Sequence, residues 1–573
     1  MLRNVVHSYG QGLCGGLRKL GVPRFMAFVL FSFIWPFSSL YPIEVPDREY
    51  FDIVKSIDLF GEVYREVSLS YVDKLNVSEL MYAGIDGMLH PLDPYTVFLD
   101  EKDSDELDEL TSGQYAGIGF TIASIDGQVY VTSVIDGYAA AKAGIRVGDS
   151  IAEINGRSVR KASLDEVKEL IQGAAGTVLT LKLERNSASS FFARVKREEV
   201  RVSSVSYSGI IDGTGYIEMK SFGSRASDDL RDAFQGLLRQ AAEQHVPLKG
   251  IMLDLRNNPG GLLNVAVDVT SLFVNQGSDV VSTRGRSPGA TKVYVTTSPP
   301  LDARLPLAVL LNSQSASAAE IVAGAIQDLD RGVIIGERSY GKGLVQSVIR
   351  ISYEHTLKLT TAKYYTPSGR LIQKEGEPVS ESRKVVQKPR GEKISTVFYT
   401  RGKRKVYGSG GIMPDIVLSG TDKSSYLPEL RRKGMLFLFA SHYRSSHSAM
   451  PSVPFDRKAL LVSFSDFLRN RTFVYKSEPQ RRFDELRESI RKVQSPDSSS
   501  QKSFSGLQQE IELLREREIT SESEDVVHAL EVEILRHYNE PLARRAELDH
   551  DPVVTKAREV LSDSRKYSRI LHP

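Results

Sequence analysis

The sequence predicts a multidomain α/β protein, with an α/β core that carries an inserted β-rich module and helical regions on either side. Between residues 201 and 420, apolar strands alternate with glycine turns and helical segments, a pattern typical of a largely parallel sheet covered by helices. Between residues 113 and 200, short alternating segments separated by Gly and Asn turns indicate the β-rich module. The length of 573 residues agrees with this division, since a domain takes roughly 150 residues.

Composition excludes several classes of protein. The chain has 74 basic and 72 acidic residues with 41% hydrophobic residues, which excludes wholesale disorder and argues against a nucleic-acid-binding protein. Its one cysteine, Cys14, excludes an intrachain disulfide and a cysteine-based zinc finger. The ten histidines are scattered without metal-ligand spacing, and no phosphate-binding glycine loop occurs, so neither a metal nor another cofactor is expected.

The N-terminal segment, residues 1–42, predicts an export signal or a membrane anchor. Basic residues with no acidic residue before Glu44 precede a nearly continuous apolar run at residues 25–40. Pro36 interrupts that run, and no clear cleavage site follows it. Whether the segment is removed or anchors the chain is therefore left open, with a buried helix of the first domain as the alternative.

Apolar spacing predicts the remaining elements. Residues 43–112 form a helical region in which apolar side chains recur at helical intervals, at Ile53, Ile57, Phe60, Val63 and Val67. Four strands are expected in the core, over 216–222, 251–255, 307–311 and 333–335. Residues 374–408 are polar and charged, which indicates an insertion loop. Residues 421–573 form a mainly helical extension, and the composition of residues 495–506 predicts a linker inside it.

Two serine motifs resemble nucleophile sites only formally. Ser287 lies in a G-x-S-x-G match, but the next residue is Pro288, which has no N–H to offer an oxyanion. Ser339 and Lys342 have the S-x-x-K spacing of penicillin-binding enzymes, which requires a helix that the neighbouring glycines disfavour. We therefore expect a surface turn at the first and no nucleophile at the second.

A third serine, Ser317, follows a predicted strand and directly precedes a predicted helix. The free N–H groups and positive dipole of a helix N-terminus suit a developing oxyanion. The local pattern has a second interpretation, because Ser317 and Glu320 also match a helix-capping box, and most such serines only cap helices.

The motifs around Ser317 resemble those of the carboxyl-terminal processing proteases. This likeness extends over about residues 51–420 and is carried by separate motifs in one order, at 92–95, 255–261, 312–320, 341–346, 364–370 and 410–415. That family consists of exported serine proteases with a serine–lysine dyad, so the resemblance implies a bacterial envelope protein on the periplasmic or extracytoplasmic side. It also implies Ser317 as nucleophile, Lys342 as general base and Gln346 as the residue that orients the lysine. The implied oxyanion hole is the N–H of Ala318 with that of Gly260 or Gly261, a choice that stays open.

Physical chemistry adds requirements for such a dyad. A lysine acts as a base only when neutral, so the pKa of Lys342 must fall from about 10.4 towards 7–8. A dry pocket does this and a nearby carboxylate opposes it, and residues 339–353 contain no acidic residue. Gly341 and Gly343 are expected to let this loop approach another segment closely.

The β-rich module resembles a PDZ domain. Gly117, Ile118, Gly119 and Phe120 look like its carboxylate-binding loop, and residues 137–156 like the turn, helix and strand that follow. Successive N–H groups in such a loop bind a terminal carboxylate, and the peptide adds as a strand. The expected partners are therefore C-terminal tails of other proteins.

The leading hypothesis is an exported serine endopeptidase that binds protein C-termini and cleaves them for processing or degradation. A non-catalytic PDZ adaptor that binds the same tails is the alternative, and a lipid or acyl-thioester hydrolase is a third possibility. The filled dyad positions argue against the adaptor, and the peptide-binding module argues against the small-substrate hydrolase. Membrane anchoring by residues 25–40 and self-association are left open.

Overall fold

The computed structural model describes residues 47–185, 189–351, 355–374, 396–418, 425–493 and 498–572. The predicted export signal or anchor at residues 1–42 lies outside these ranges, as do residues 375–395 of the predicted insertion. In the described ranges, no helix combines the length and apolar character that crossing a membrane requires. The chain divides into two compact units, Met1–Met81 and Tyr82–Pro573.

The N-terminal region is helical, as predicted, with one short strand that the sequence did not indicate. Its elements are α1 (Asp47–Ser70), α2 (Val77–Leu89), β1 (Val97–Leu99) and α3 (Glu101–Ser112). The apolar residues at helical intervals all fall within α1. Helix α3 begins at the Asp100 cap, whose carboxylate accepts the Asp103 N–H, and ends at Gly113 with φ of 71°.

The module between α3 and the core is β-rich, as predicted. Its elements are β2 (Gln114–Gly117), β3 (Phe120–Ile125), β4 (Gln128–Val134), α4 (Ala139–Lys142), β5 (Ser150–Ile154), β6 (Arg157–Ser158), α5 (Leu164–Ile171), β7 (Val178–Arg185), β8 (Ser189–Lys196) and β9 (Glu198–Arg201). The sheet order is β3-β4-β5-β7-β8, with β6 on β5, while β2 pairs with β9 where the chain enters and leaves the module. Alternate residues of β7 and β8 are buried in one core, which explains the period-two pattern.

The α/β core contains a six-stranded sheet in the order β10-β11-β12-β15-β16-β21. These strands are β10 (Val205–Ile211), β11 (Thr214–Met219), β12 (Ile251–Asp254), β15 (Leu307–Leu311), β16 (Val333–Gly336) and β21 (Ile416–Val417), joined through α6 (Ala226–Glu243), α7 (Leu263–Ser271) and α8 (Ala318–Asp328). All pairs from β11 to β21 are parallel, and β10 is antiparallel to β11. Every residue of β15 is buried, because both faces of this sheet are covered.

A second, antiparallel sheet lies on the helix side of this core. Its strands are β1, β13 (Asp279–Gly285), β14 (Lys292–Val295), β17 (Leu344–Arg350) and β18 (Thr356–Tyr365), with β1, β13 and β17 all pairing with β18. A turn of 3₁₀ helix (Pro288–Ala290) joins β13 to β14. Part of the predicted insertion loop forms a hairpin instead, with β19 (Val397–Tyr399) and β20 (Lys405–Tyr407). Arg404 in this hairpin pairs with Asp330 beyond the end of α8, so this part of the segment is fixed to the core.

The C-terminal region is helical, as predicted. Its helices are α9 (Tyr426–Arg432), α10 (Met435–Ser446), α11 (Arg457–Asn470), α12 (Glu478–Val493), α13 (Ser498–Ser521), α14 (Ser523–Arg536), α15 (Glu540–Asp549), α16 (Pro552–Ser562) and α17 (Ser564–Leu571). The last two pack on the open face of the six-stranded sheet through residues such as Val554 and Leu561. The predicted linker is wrong from Ser498 onward, since residues 498–506 belong to α13, which continues through Gly506.

Candidate active site

Ser317 lies between the carboxyl end of β15 and the first residue of α8. Its backbone has φ of 55° and ψ of −115°, which is strained for a residue with a side chain. Two neighbours hold this conformation, since Glu320 accepts the Ser317 N–H at 2.8 Å and the Tyr364 hydroxyl donates to the Ser317 carbonyl at 3.2 Å. The serine side chain is thus presented from a fixed turn at a helix N-terminus.

Lys342 lies in an irregular segment between β16 and β17. Gly341 has φ of 89°, and a Cβ there would lie 3.0 Å from the Gly411 nitrogen. A Cβ at Gly343 would lie 2.7 Å from the Gln373 nitrogen. The predicted close approach of this loop to another segment is therefore confirmed, with residues 373–374 and 410–411 as the segments approached.

Glu320 joins the Ser317 turn to the Lys342 loop. One carboxylate oxygen accepts the Ser317 N–H at 2.8 Å and the Lys342 N–H at 2.9 Å. The other accepts the Ser339 hydroxyl at 2.6 Å and the Gly341 N–H at 2.7 Å. The side chain is fully buried, and burial raises its pKa to about 7 against the four hydrogen bonds. The capping-box interpretation thus described only one of the four contacts that this carboxylate makes.

The Lys342 amine is half-buried and lies over an aromatic ring. Its Nζ is 4.5 Å from the centroid of the Tyr95 ring. Within the ranges that the structure covers, this Nζ has no hydrogen-bond or ion-pair partner, so neither Ser317 Oγ nor Gln346 is bonded to it. Burial, and after it the positive charge of Lys358, lower the pKa of Lys342 to about 8.

Two carboxylates face the same amine. Asp93 and Glu320 both act to raise the pKa of Lys342, although burial and Lys358 outweigh them. The absence of acidic residues from 339–353 did not reveal these carboxylates, because both come from other parts of the sequence. Gln346 also differs from expectation, since its Nε2 donates to Thr360 Oγ1 at 3.3 Å rather than contacting the lysine.

Two backbone N–H groups near Ser317 have no intramolecular partner among the described residues. One belongs to Ala318, the first residue of α8, and the other to Gly261. The Gly260 N–H is already donated to Asn258 Oδ1 at 2.9 Å. Gly260 instead gives room, because a Cβ there would lie 2.7 Å from the Ser317 Cβ.

The other two serines of interest lie in different surroundings. Ser339 is buried, and its hydroxyl donates to Glu320 while accepting the Ile412 N–H at 2.6 Å. The residues from Ser339 to Lys342 are not helical, so S-x-x-K does not place two side chains on one helix face. Ser287 is exposed beside Pro288, in the turn between β13 and β14, as predicted.

The predicted carboxylate-binding loop lies between β2 and β3. Gly119 has φ of 81°, and all four residues from Gly117 to Phe120 are buried. In the described part of the chain, the N–H groups of Ile118 and Gly119 donate to no other residue. Strand β3 is the edge strand of its sheet, with β4 as its neighbour and α5 packed nearby. This arrangement leaves one strand edge and two adjacent N–H groups for an extended peptide.

Three further residues act on the dyad positions by contact or by charge, and the sequence alone indicated a role for none of them. These are Asp93, Tyr95 and Tyr364, all of which lie in motifs that carried the family resemblance. Tyr364 is fully buried, and the carbonyl oxygens of Ser317 and Lys342 share the single proton of its hydroxyl. No group of His, Cys, Asp and Glu side chains that could hold a metal occurs in the ranges described.

Comparison with known proteins gives three matching family descriptions. Residues 213–378 match peptidase family S41, residues 109–184 match the PDZ domain, and residues 427–561 match the C-terminal helical domain of probable PDZ-proteases. A solved structure of a photosystem II D1 C-terminal processing protease is similar at 28% identity with a TM-score of 0.34, over 65% of this chain and 96% of that chain.

Two curated relatives are similar over most of their own length. A carboxy-terminal-processing protease of Bartonella bacilliformis is 36% identical over 356 residues, which are 62% of this chain and 80% of the relative. The carboxy-terminal processing protease CtpA of Bacillus subtilis is 33% identical over 321 residues, 56% of this chain and 67% of the relative. With the peptidase and PDZ matches in one chain, these identities establish that the protein belongs to the carboxy-terminal processing proteases of peptidase family S41.

Proposed function

We propose that this protease is an exported serine endopeptidase that captures C-terminal tails through its PDZ domain and cleaves them with Ser317 and Lys342. The observation that carries the proposal is the Glu320 carboxylate, which binds the backbone N–H of both residues. One buried side chain thereby fixes the strained serine turn beside the lysine loop. A serine that served only as a helix cap would have no need of this second loop.

The reaction begins with attack by Ser317 Oγ on the carbonyl carbon of the scissile peptide bond. The neutral Lys342 amine takes the serine proton as the new C–O bond forms. The lowered pKa of Lys342, about 8, supports this role because a useful fraction of the amine is neutral near pH 7. For this step the side chain must turn from the Tyr95 ring towards Ser317.

The negative charge then develops on the former carbonyl oxygen. The unpartnered N–H groups of Ala318 and Gly261 are the donors we assign to it, and the dipole of α8 adds a favourable field. Gly260 is the poorer candidate, because its N–H already binds Asn258. Its lack of a side chain instead lets the oxyanion loop pack against Ser317.

Collapse of the intermediate breaks the C–N bond and leaves an ester between Ser317 and the N-terminal part of the substrate. Protonated Lys342 gives its proton to the leaving amine. A water molecule then attacks the ester, with Lys342 again taking a proton, and the serine hydroxyl is restored. Each proton that Lys342 accepts is returned within the cycle, so no cofactor is required.

Tail recognition is assigned to the PDZ domain. A terminal carboxylate would accept the Ile118 and Gly119 N–H groups, and the residues before it would add as a strand along β3. Export is the third part of the proposal, supported by the basic and apolar residues at 1–40. Under this part of the proposal, the protease domains lie on the periplasmic side of a bacterial envelope, either released or anchored.

The test is cleavage of a denatured model protein, with and without an apolar C-terminal tag. Ser317→Ala and Lys342→Ala should each lower tag-dependent cleavage by at least about 1,000-fold. Ser339→Ala is the matched control, since it changes a neighbouring serine in the same network and should retain part of the activity. Cleavage that survives Ser317→Ala would contradict the proposal, and tag binding without cleavage by any form would favour the adaptor.

The PDZ part needs its own pair of variants. A Cβ at Gly119 would lie 2.4 Å from the Tyr138 Cβ, whereas at Gly127 nothing lies within 4 Å, although both glycines have positive φ. Gly119→Ala should therefore abolish tag dependence, and Gly127→Ala should keep it. Equal tag dependence in the two variants would refute recognition by this loop.

A further inference from the structure

The Lys342 amine has an aromatic contact that the dyad mechanism does not use. Its Nζ lies 4.5 Å from the centroid of the Tyr95 ring, and no oxygen or nitrogen in the described ranges bonds to it. The face of an aromatic ring stabilises an ammonium group that is removed from water, because negative charge density lies on that face. The Tyr95 ring thus adds to the stabilisation that Asp93 and Glu320 give to the charge of the resting lysine.

A carboxylate fixes the turn that carries this ring. Asp93 Oδ1 accepts the N–H groups of Tyr95 at 2.8 Å and Thr96 at 3.0 Å, and Oδ2 accepts the Thr96 hydroxyl at 2.9 Å. The Thr360 N–H on β18 donates to Thr96 Oγ1 at 3.1 Å. Since β1 follows the turn and pairs with β18, the ring is held against the sheet that receives the Lys342 loop.

Gln346 is connected to the same turn. Its Nε2 donates to Thr360 Oγ1, which in turn donates to Asp93 Oδ1 at 3.2 Å. The residue that the family resemblance implied as orienting Lys342 therefore acts on the turn below Tyr95 in this arrangement. A change at Gln346 or Thr360 therefore reaches the lysine through the position of this ring, while a change at Asp93 also alters the charge that acts on Lys342.

We propose that Tyr95 is a positioning residue for the general base. Its ring receives the Lys342 amine between proton transfers. Because the Asp93 turn fixes the ring, the ring in turn sets the position of that amine relative to Ser317. This inference rests on the proposed role of Lys342 as the base. The ring favours the protonated lysine, so it acts in the same direction as Asp93 and Glu320 and against burial and Lys358. Tyr340 lies beyond the ring, with its hydroxyl 3.4 Å from that of Tyr95.

Tyr95 acts through its ring and not through proton transfer. Burial raises the pKa of Tyr95, so the phenol stays neutral throughout the working pH range. Tyr95→Phe therefore keeps the interaction, whereas Tyr95→Leu keeps an apolar cover but removes the ring face. The two variants separate the ring from the hydroxyl and from simple exclusion of water.

The first readout does not require proteolysis. Competitive acetylation of lysines over a pH series, followed by mass spectrometry, gives the pH at which the Lys342 amine becomes reactive. Tyr95→Leu should move that midpoint about half a pH unit lower, and Tyr95→Phe should leave it unchanged. Tyr294→Leu is the matched control, because Lys292 Nζ lies 4.7 Å from the Tyr294 ring on β14, two strands from β18 in the same sheet.

The second readout is the acid limb of kcat/KM for a tail peptide, which should move with the acetylation midpoint in Tyr95→Leu. An unchanged midpoint in Tyr95→Leu, with the protein folded, would overturn the inference. So would an equal shift in Tyr95→Phe, because the hydroxyl would then carry the effect. A shifted midpoint in a chain that cleaves nothing would instead contradict the proposed function while keeping the Tyr95 contact, so the two failures are distinguishable.

Discussion

Replacing Glu320 with glutamine tests whether one buried carboxylate holds the serine turn and the lysine loop together. The carboxylate accepts four hydrogen bonds, two on each oxygen, and donates none. Glutamine keeps one oxygen and places an NH₂ group against two of the donors. Whichever way the amide points, two N–H or O–H groups lose their acceptor.

Two opposing contributions determine how much Glu320→Gln changes the free energy of unfolding. Two unsatisfied buried donors cost about 2–6 kcal/mol. Burial of the Glu320 charge raises its pKa from 4.5 to about 7, which corresponds to an unfavourable free energy of roughly 3 kcal/mol. The neutral amide of glutamine avoids this cost. The free energy of unfolding should therefore fall by at most about 3 kcal/mol, leaving the protein folded.

Catalysis should suffer far more than stability. If the Ser317 turn and the Lys342 loop separate by about 1 Å, the expected loss in kcat/KM is on the order of 100-fold. Peptide cleavage and urea unfolding, measured on the same preparation, give the two quantities. Asp328→Asn is the matched control, because it removes a buried charge from the other end of α8, where Asp328 pairs with Arg370.

That control should be destabilised at least as much as Glu320→Gln while keeping kcat/KM per folded molecule near the parent value. The reasoning is refuted if folded Glu320→Gln cleaves within about threefold of the parent. It is equally refuted if both variants lose activity in proportion to their stability, since the effect would then be general and not local.

Three further predictions concern charge and pH. The acid limb of kcat/KM is expected near pH 8, and Lys358→Met should move it to higher pH because the Lys358 charge lowers the pKa of Lys342. An acid limb at the same pH would exclude Lys342 as the titrating base. Burial lowers the pKa of His537 from 6.5 to about 4, so the neutral imidazole contributes fully to stability above about pH 6.5 and that contribution is lost as the pH falls towards 4. Urea unfolding should therefore show a loss of up to roughly 3 kcal/mol at low pH, and a smaller loss in His537→Gln. Asp551 accepts two N–H groups at the start of α16 and pairs with Arg256. Asp551→Ala should be about 1 kcal/mol less stable than Asp551→Asn, because asparagine keeps the helix cap. Equal stability of the two variants would show that the cap contributes nothing.

The core elements were predictable because burial on both faces leaves a simple pattern. The run Leu307–Leu311 is apolar without alternation, which is typical of a central parallel strand, and the small residues after Ser317 continue into a helix. In contrast, a polar segment has the same composition in a linker as in an exposed helix. The start of α13 at Ser498 could not be distinguished from a linker for that reason.

The contacts around the dyad positions were harder to predict because they join distant segments. The position of Tyr95 depends mainly on the pairing of β1 with β18, and β1 is only three residues long. Glu320 was visible as a helix cap, since that contact is local, but its bonds to Gly341 and Lys342 are not. The pKa of Lys342 was expected to fall through burial, yet the two opposing carboxylates became apparent only in three dimensions.

In the proposed mechanism, Ser317 forms an ester with the substrate and Lys342 activates the serine. The direct measurement is intact-mass analysis of the enzyme, quenched in acid within one turnover of a tail peptide, followed by mapping of the modified residue. The added mass should equal that of the N-terminal part of the peptide less one water, and it should be located on Ser317. It should be present in the parent and in Ser339→Ala and absent in Ser317→Ala and Lys342→Ala. An adduct on any other residue, or one that forms equally fast in Lys342→Ala, would contradict the account.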